Sequence, residues 1–296
     1  MKLSKVLLSS AAIALVLGFA GCATNEDEHN IINVKGDTAS VNYTNEGTVT
    51  YRGFRTLKTK HTDAVAIFTL GGAETEDSTA RTGVMGFVFD LEKDKSVKNS
   101  SNETKKHIYD FTAVSLRKNG SAIQAYISRF EGVDADNMDG GNNFKDADGT
   151  ELSTTATTLG AKETEILKGS SGAYATLNGV TKNDDGTYTV AVEVIANADG
   201  TYSVKFYDGK DAVAESAKDE DGVKTGQIKS GAKELAVAGN TTSQPITVDA
   251  SWKEGATKTK QTDMGFYAAV YPGKTLVASL RLPYILNEDE VIEWED

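Results

Sequence analysis

One thiol, three histidines, an oxygen-rich loop, an acidic C-terminal run and a late group of aromatics are the parts of this chain whose residue types could do chemistry. Cys22 is the lone cysteine, so no disulfide can form within the chain and no pair of thiols can bind zinc or cycle electrons. His29, His61 and His107 lack the spacing of a metal site. The loop Asp134-Ala135-Asp136-Asn137-Met138-Asp139-Gly140-Gly141-Asn142-Asn143, continued by Asp146-Ala147-Asp148-Gly149, offers the hard oxygens that calcium takes. Asp134, Asp136 and Asp139 are its candidate ligands. The EF-hand order fails, because Met138 falls at the third ligand position and Asp139 comes one place late; a solvated loop of Asx turns competes with the metal reading.

Carboxylates at alternate positions of a strand point to one face and can act as acid and nucleophile on a glycosidic bond. Glu288-Asp289-Glu290-Val291-Ile292-Glu293 approaches that spacing, but at the C-terminus, where a solvated acidic tail is the ordinary explanation. Gly169-Ser170-Ser171-Gly172 is not a nucleophile elbow, and Gly71-Gly72 and Gly140-Gly141 precede no helix that could cradle phosphate. Aromatic platforms remain. Trp252, Tyr267, Tyr271, Tyr284 and Trp294 gather toward the C-terminus, and flat aromatic faces stack on sugar rings. Trp252, Tyr267 and Tyr271 are the candidate ligand-binding residues, with core packing and strand propensity as the plainer account of tyrosines in a strand.

The elements that must position these groups are strands. Tyr188, Val190, Val192 and Val194 alternate with polar or small residues, Asn197-Ala198-Asp199-Gly200 follows, and Tyr202, Val204 and Phe206 alternate again, which predicts a hairpin with one face inward. A second hairpin is expected from His107–Leu116 through Asn119-Gly120 into Ala122–Phe130, and a third from Met264–Tyr271 through Pro272-Gly273 into Thr275–Leu282. Val65–Leu70 and Gly83–Leu91 are continuously apolar, as strands covered on both faces are. Helix signals are few: Leu159–Leu167 could make two or three turns, and Asp211–Ala217 is ambiguous between strand and helix. Lys93–Lys106, Val133–Thr158 and Lys218–Lys233 read as long polar loops. With 28 glycines and no alternation of strands with amphipathic helices, the fold class is all-β, an antiparallel β-sandwich with few short helices. Gly83–Phe89 and Met264–Val270 share a Met-Gly-Phe core, explained by packing without a duplication.

Lys2 and Lys5, the apolar run Val6–Phe19, the small residues Ala20 and Gly21 and then Cys22 form an export signal too short to span a bilayer as a helix. This segment resembles the lipobox of bacterial lipoproteins, with Phe19 a looseness of the spirochaete type. The resemblance implies cleavage before Cys22 and a covalent diacylglycerol and N-acyl lipid on it, with no other cofactor. The expected layout is signal peptide over 1–21, an acidic lipidated tether over 22–37 and one large β domain over 38–296. Lipid anchoring makes the membrane a partner. Ala23 after Cys22, where retention in the inner membrane would use Asp, implies the outer membrane and a surface-exposed face. A chain with 31 basic and 43 acidic residues, net −12, is a poor binder of nucleic acid.

The order Gly86-Phe87-Val88-Phe89-Asp90, Tyr109-Asp110-Phe111, Val114-Ser115-Leu116-Arg117, then Gly186-Thr187-Tyr188, Tyr202–Phe206 with Asp208-Gly209, and Met264-Gly265-Phe266-Tyr267 resembles the concanavalin A-like jelly roll of laminin-G domains, glucanases and carbohydrate-binding domains. The resemblance spans about Val41 to Leu282. It implies a ligand-binding module or adhesin for a glycan or host protein, with a glycan-degrading hydrolase or a structural envelope protein as alternatives. The missing carboxylate motif favours binding over hydrolysis.

Overall fold

The computed structural model describes residues 31–57, 63–71, 82–138, 140–141, 144–152, 162–169, 174–218, 224–238, 244–251, 263–283 and 294–295. Two antiparallel sheets dominate them. The smaller has seven strands in the order β1 (Asn33–Lys35), β2 (Thr38–Asn45), β18 (Lys274–Arg281), β4 (Ala64–Leu70), β11 (Tyr188–Ala196), β12 (Thr201–Asp208) and β16 (Ile246–Asp249). The larger has ten. Its path is β15 (Ala236–Val237), β10 (Ala175–Asn178), β7 (Ala122–Asp134), β6 (Thr104–Asn119), β5 (Gly83–Lys98), β17 (Asp263–Val270), β3 (Tyr51–Leu57) and β19 (Trp294–Glu295); β8 (Gly140–Gly141) also pairs with β3 and β9 (Lys162–Leu167) with β7. A two-stranded ribbon, β13 (Val213–Lys218) and β14 (Lys224–Ile228), completes the set. The antiparallel β-sandwich expected from the strand pattern is the architecture found.

Period-two alternation builds the core. Phe87 and Phe89 of β5, Phe266 of β17, Val114 and Leu116 of β6, and Ile123 and Ile127 of β7 face Phe68 of β4, Val192 of β11 and Tyr202 and Phe206 of β12, all buried in one cluster. Phe89 meets Tyr202 edge-on, with ring centroids 4.9 Å apart, so an aromatic pair joins the two sheets. Full burial of each such side chain contributes roughly 1.5–3 kcal/mol. The opposite face of the larger sheet is also apolar near its middle: Phe54, Val84, Val88, Phe111 and Phe130 form a second cluster with Met138 and Phe144. Phe144 packs edge-on against Phe111 at 5.7 Å and Phe130 at 5.3 Å. This cover over the sheet explains the apolar run at Gly83–Phe89.

The first expected hairpin forms with Val192 opposite Phe206 and Val194 opposite Val204. The second forms as β6 and β7, with Asn119 opposite Ala122. Its turn residues are therefore Gly120 and Ser121, and the positive φ falls on Gly120 at +62°, the first central position, as a type II′ turn requires. The third is not a hairpin. β17 lies in the larger sheet and β18 in the smaller, so Tyr271-Pro272-Gly273 carries the chain from one layer to the other. Each strand finds its partners at long range, β17 between β5 and β3, β18 between β2 and β4.

The helix expected at Leu159–Leu167 is a strand where it is described, β9, held on β7 by pairing of Ser128 with Glu165 and Phe130 with Glu163. The ambiguous Asp211–Ala217 begins as the short 3-10 turn Lys210–Ala212 and continues as β13. Lys93–Lys106 is a two-stranded extension of β5 and β6 with several register shifts, not a loop. Lys95 pairs with the buried Asp110, and Lys93 lies 3.7 Å from Asp263, anchoring its base. At the other end, β1 forms inside the stretch read as tether, and Ile31 and Ile32 are buried in the core.

Candidate binding site

On the outer face of the larger sheet, register aligns Tyr126 of β7, Ser115 of β6, Gly86 of β5, Tyr267 of β17 and Phe54 of β3 in one row across five strands. The glycine is required. A Cβ at Gly86 would stand 2.1 Å from Cε1 of Tyr267, so the bare backbone lets that ring lie over β5 and reach β6. There the Tyr267 hydroxyl and Ser115 Oγ are 2.5 Å apart and buried. Burial pushes the Tyr267 phenol up to about 12, against the opposing pull of the Ser115 hydrogen bond. Tyr174 is pushed well above the ordinary phenol range, first by burial and then by the neighbouring phenols of Tyr267 and Tyr271. Both are neutral hydroxyls at any physiological pH.

The neighbouring groups fix the rings. Tyr126 and Tyr174 stack at 4.9 Å with 25° between their planes, and the Arg117 guanidinium lies 3.9 Å over Tyr174. Arg117 Nε also donates to Gln124 Oε1 at 2.9 Å, which holds its plane. The Tyr126 hydroxyl lies 2.7 Å from Glu165 Oε1 and 3.1 Å from Glu163 Oε1, so one phenol serves two carboxylates two residues apart on β9. Ser128 Oγ donates to Glu163 Oε1 at 2.8 Å. Hydrogen bonds from Lys168 and then Tyr126 hold the Glu165 carboxyl below its usual range, while burial drives the Tyr126 phenol far upward.

These groups border a cavity of about 210 Å³. Its polar lining is Arg52, Tyr126, Glu163, Tyr174, Tyr267 and Tyr271; Val84, Phe130, Phe144, Leu152 and Ala269 supply the apolar wall. Arg52 sits with its guanidinium 5.8 Å over the Phe144 ring, and burial lowers its pKa while Tyr267, Tyr271, Tyr174 and Glu151 oppose that shift. Pockets for drug-sized ligands run to roughly 300–1,000 Å³, so this one seats a single ring-sized group.

Of the residues expected to bind ligand, Tyr267 and Tyr271 both line this cavity, and Trp252 lies outside the described residues. Cys22, Tyr284 and Glu288–Glu293 also lie outside them, and of Trp294 only the strand backbone is described. In the oxygen-rich loop, Asp134 is buried and its Oδ1 accepts from the Asp136 amide at 3.1 Å, capping the 3-10 turn Ala135–Asn137; Asp136 is exposed, and Asp139 lies outside the described residues. Asp146 Oδ1 accepts the amides of Asp148 and Thr150, both at 2.9 Å, which is the geometry of an Asx turn. Among the described residues no three metal-ligating side chains converge. Arg52, Tyr126, Glu163 and Tyr174 were not anticipated. The available signal was the polar series Ser115, Arg117 and Gln124, Tyr126, Ser128 on one face of an otherwise apolar hairpin.

What fold and site define together is an antiparallel β-sandwich with an aromatic cavity, polar groups in its lining, on the outer face of its larger sheet. No protein-family model and no curated protein matches the chain. Among solved structures, the crystal structure of a β-porphyranase from the human gut bacterium Bacteroides plebeius aligns with 86% of this chain and 68% of its own, at 9% identity and a TM-score of 0.25. Among the described residues no helix is long and apolar enough to cross a membrane.

Proposed function

We propose that this protein is a glycan-binding module of the bacterial envelope, tethered by lipid on Cys22 and displayed at the outer membrane surface. The observation that carries the binding reading is the convergence of Tyr174, Tyr267 and Tyr271 with Arg52 and Glu163 around one ring-sized cavity. Sugars need this combination: aromatic faces for their apolar C–H surfaces, and planar polar side chains for their hydroxyls. The anchor rests on the lipobox-like segment ending at Cys22.

A hydrolase draws on the pair Glu163 and Glu165, which share a face of β9. The electrostatics run against it, because a general acid requires a raised carboxyl and Glu165 is held low by Lys168 and Tyr126. Binding without turnover is therefore the reading preferred. Calorimetric titration of the mature chain with a panel of monosaccharides and short oligosaccharides tests it. Saturable heat is expected, weakened about tenfold by Tyr271→Ala, the loss of roughly one aromatic contact. Absence of heat across the panel overturns the binding role. For the anchor, loss of membrane partitioning in Cys22→Ser is expected, and proteinase that leaves the protein intact on whole cells would sink surface display.

A further inference from the structure

We propose that the cavity selects a sugar bearing a free ammonium, a hexosamine without its acetyl group, and seats that ammonium on Glu163. The proposal rests on the glycan-binding reading and goes beyond it by naming the ligand's charge and the group that receives it. Glu163 is half-buried on β9 and lines the cavity. Its Oε1 accepts from Ser128 at 2.8 Å and lies 3.1 Å from the Tyr126 hydroxyl, whereas its Oε2 takes no hydrogen bond from the described residues. The carboxylate is thus fixed through one oxygen and keeps the other for a ligand. Phenols gather around it. The Tyr267 ring crosses Gly86 of β5 to bring its hydroxyl to Ser115 of β6, and Tyr174 stacks on Tyr126 of β7 at 4.9 Å. Glu163 acts electrostatically on both the Tyr126 and the Tyr267 phenol. Burial raises all three phenols, so each is neutral and its oxygen has lone pairs for an incoming donor.

An ammonium fits this set. It carries three donors and accepts nothing, gains a charge-assisted hydrogen bond from the carboxylate, and is attracted by the faces of aromatic rings. The other charges nearby are already engaged. Lys168 pairs with Glu165 at 2.6 Å, which leaves Glu163 as the open carboxylate of β9. Arg117 lies on the Tyr174 ring, donates to Gln124 and is not part of the lining. Arg52, on β3, lies over the Phe144 ring, and Glu151 acts on it. A neutral hexose would bring only hydroxyl donors to Glu163, and an acidic one would be repelled by it. An N-acetyl group removes the charge and adds bulk to a ring that must fit about 210 Å³.

The test compares glucosamine and galactosamine with glucose, galactose and N-acetylglucosamine by calorimetry on the mature chain at about pH 6, where a sugar amine is protonated. The amino sugars are expected to bind at least about tenfold more tightly than the neutral ones, the margin of a charge-assisted over a neutral hydrogen bond. Glu163→Gln keeps an acceptor for Ser128 and removes the charge, so it should bring glucosamine down to the affinity of glucose. Circular dichroism establishes that the variant is folded; should it fail to fold, the comparison of ligands on the unaltered chain carries the test. Equal or tighter binding of the neutral sugars overturns the proposal and leaves glycan binding intact, as does an amine preference that survives Glu163→Gln. Nα-acetyl-lysine amide, an ammonium on an open chain, is expected to bind more weakly than glucosamine; equal affinity overturns the sugar as carrier of the charge and points to a protein ligand. If no sugar of either class binds, the glycan-binding reading falls and this inference with it.

Discussion

Two polar clusters on the larger sheet use the same chemistry to opposite ends. In the first, Asp90 is fully buried at the bulge of β5, with a left-handed φ of +51°. Arg129 Nη1 donates to its Oδ2 and its carbonyl, each at 2.9 Å, while the amide and hydroxyl of Ser251 take Oδ2 and Oδ1 at 2.9 and 2.7 Å. Ser251 follows β16, so this closed network ties the larger sheet to the edge of the smaller one. In the second cluster, Arg52, Glu163 and the tyrosines surround open volume. A network whose acceptors are all taken is a fastening; a similar set of groups around a space leaves room for a ligand. Burial raises the Asp90 carboxyl in spite of Arg129 and Ser251, which marks how strongly that site is sealed.

The sharpest way to break this comparison is to remove one member of the sealed cluster. Asp90→Ala leaves Arg129 charged and without its carboxylate in a buried setting, and is expected to cost about 3–5 kcal/mol in urea unfolding. A loss below about 1 kcal/mol would mean that Arg129 finds solvent and that the network fastens nothing. Sugar affinity of the folded fraction should stay unchanged. Gly86→Ala is the converse experiment. Its Cβ would enter the Tyr267 ring, and overpacking of that kind costs about 1–3 kcal/mol. The ring can only rise into the cavity, so ligand binding should be lost. Combining Gly86→Ala with Tyr267→Ala should recover stability relative to Gly86→Ala alone; additive losses in that double-mutant cycle would show that the ring and the glycine are not coupled.

The two clusters also differ in how much of them the sequence discloses. The Tyr188–Phe206 hairpin is legible because alternation and Asn197-Ala198-Asp199-Gly200 are local signals, and the register found agrees with them. Met264–Leu282 reads as a hairpin for the same local reasons, yet its halves join different sheets, a choice made by partners about 170 to 245 residues away. In sequence, β9 reads as a short helix because Leu159, Ile166 and Leu167 are too few to separate a period of 3.6 from one of 2. That error concealed Glu163 and Glu165, whose shared face exists only if the segment is a strand. Tyr267 and Tyr271 could be found as aromatics. Arg52 could not, since nothing around Tyr51-Arg52-Gly53 in the chain indicates that β17 pairs beside it and that the Phe144 ring lies against its guanidinium.

The smallest effect separates the clusters by titration. The Tyr267 phenol stands at about 12 in the fold against an ordinary 10.0, so the folded state binds more protons than the unfolded chain between those values. Stability from this group is therefore complete below pH 10 and declines as pH rises toward 12, by roughly 1.4 kcal/mol per unit. Tyr126 and Tyr174 are shifted the same way and steepen the decline. Tyr267→Phe removes one of these ionisations and should flatten the alkaline limb of a stability curve between pH 10 and 12, at the cost of the Ser115 hydrogen bond at neutral pH. The sealed cluster contains no phenol, so Asp90→Ala should lower the whole curve without changing that alkaline slope. A Tyr267→Phe variant with an unaltered slope would place the alkaline loss elsewhere and would mean that the Tyr267 hydroxyl beside Ser115 is open to solvent.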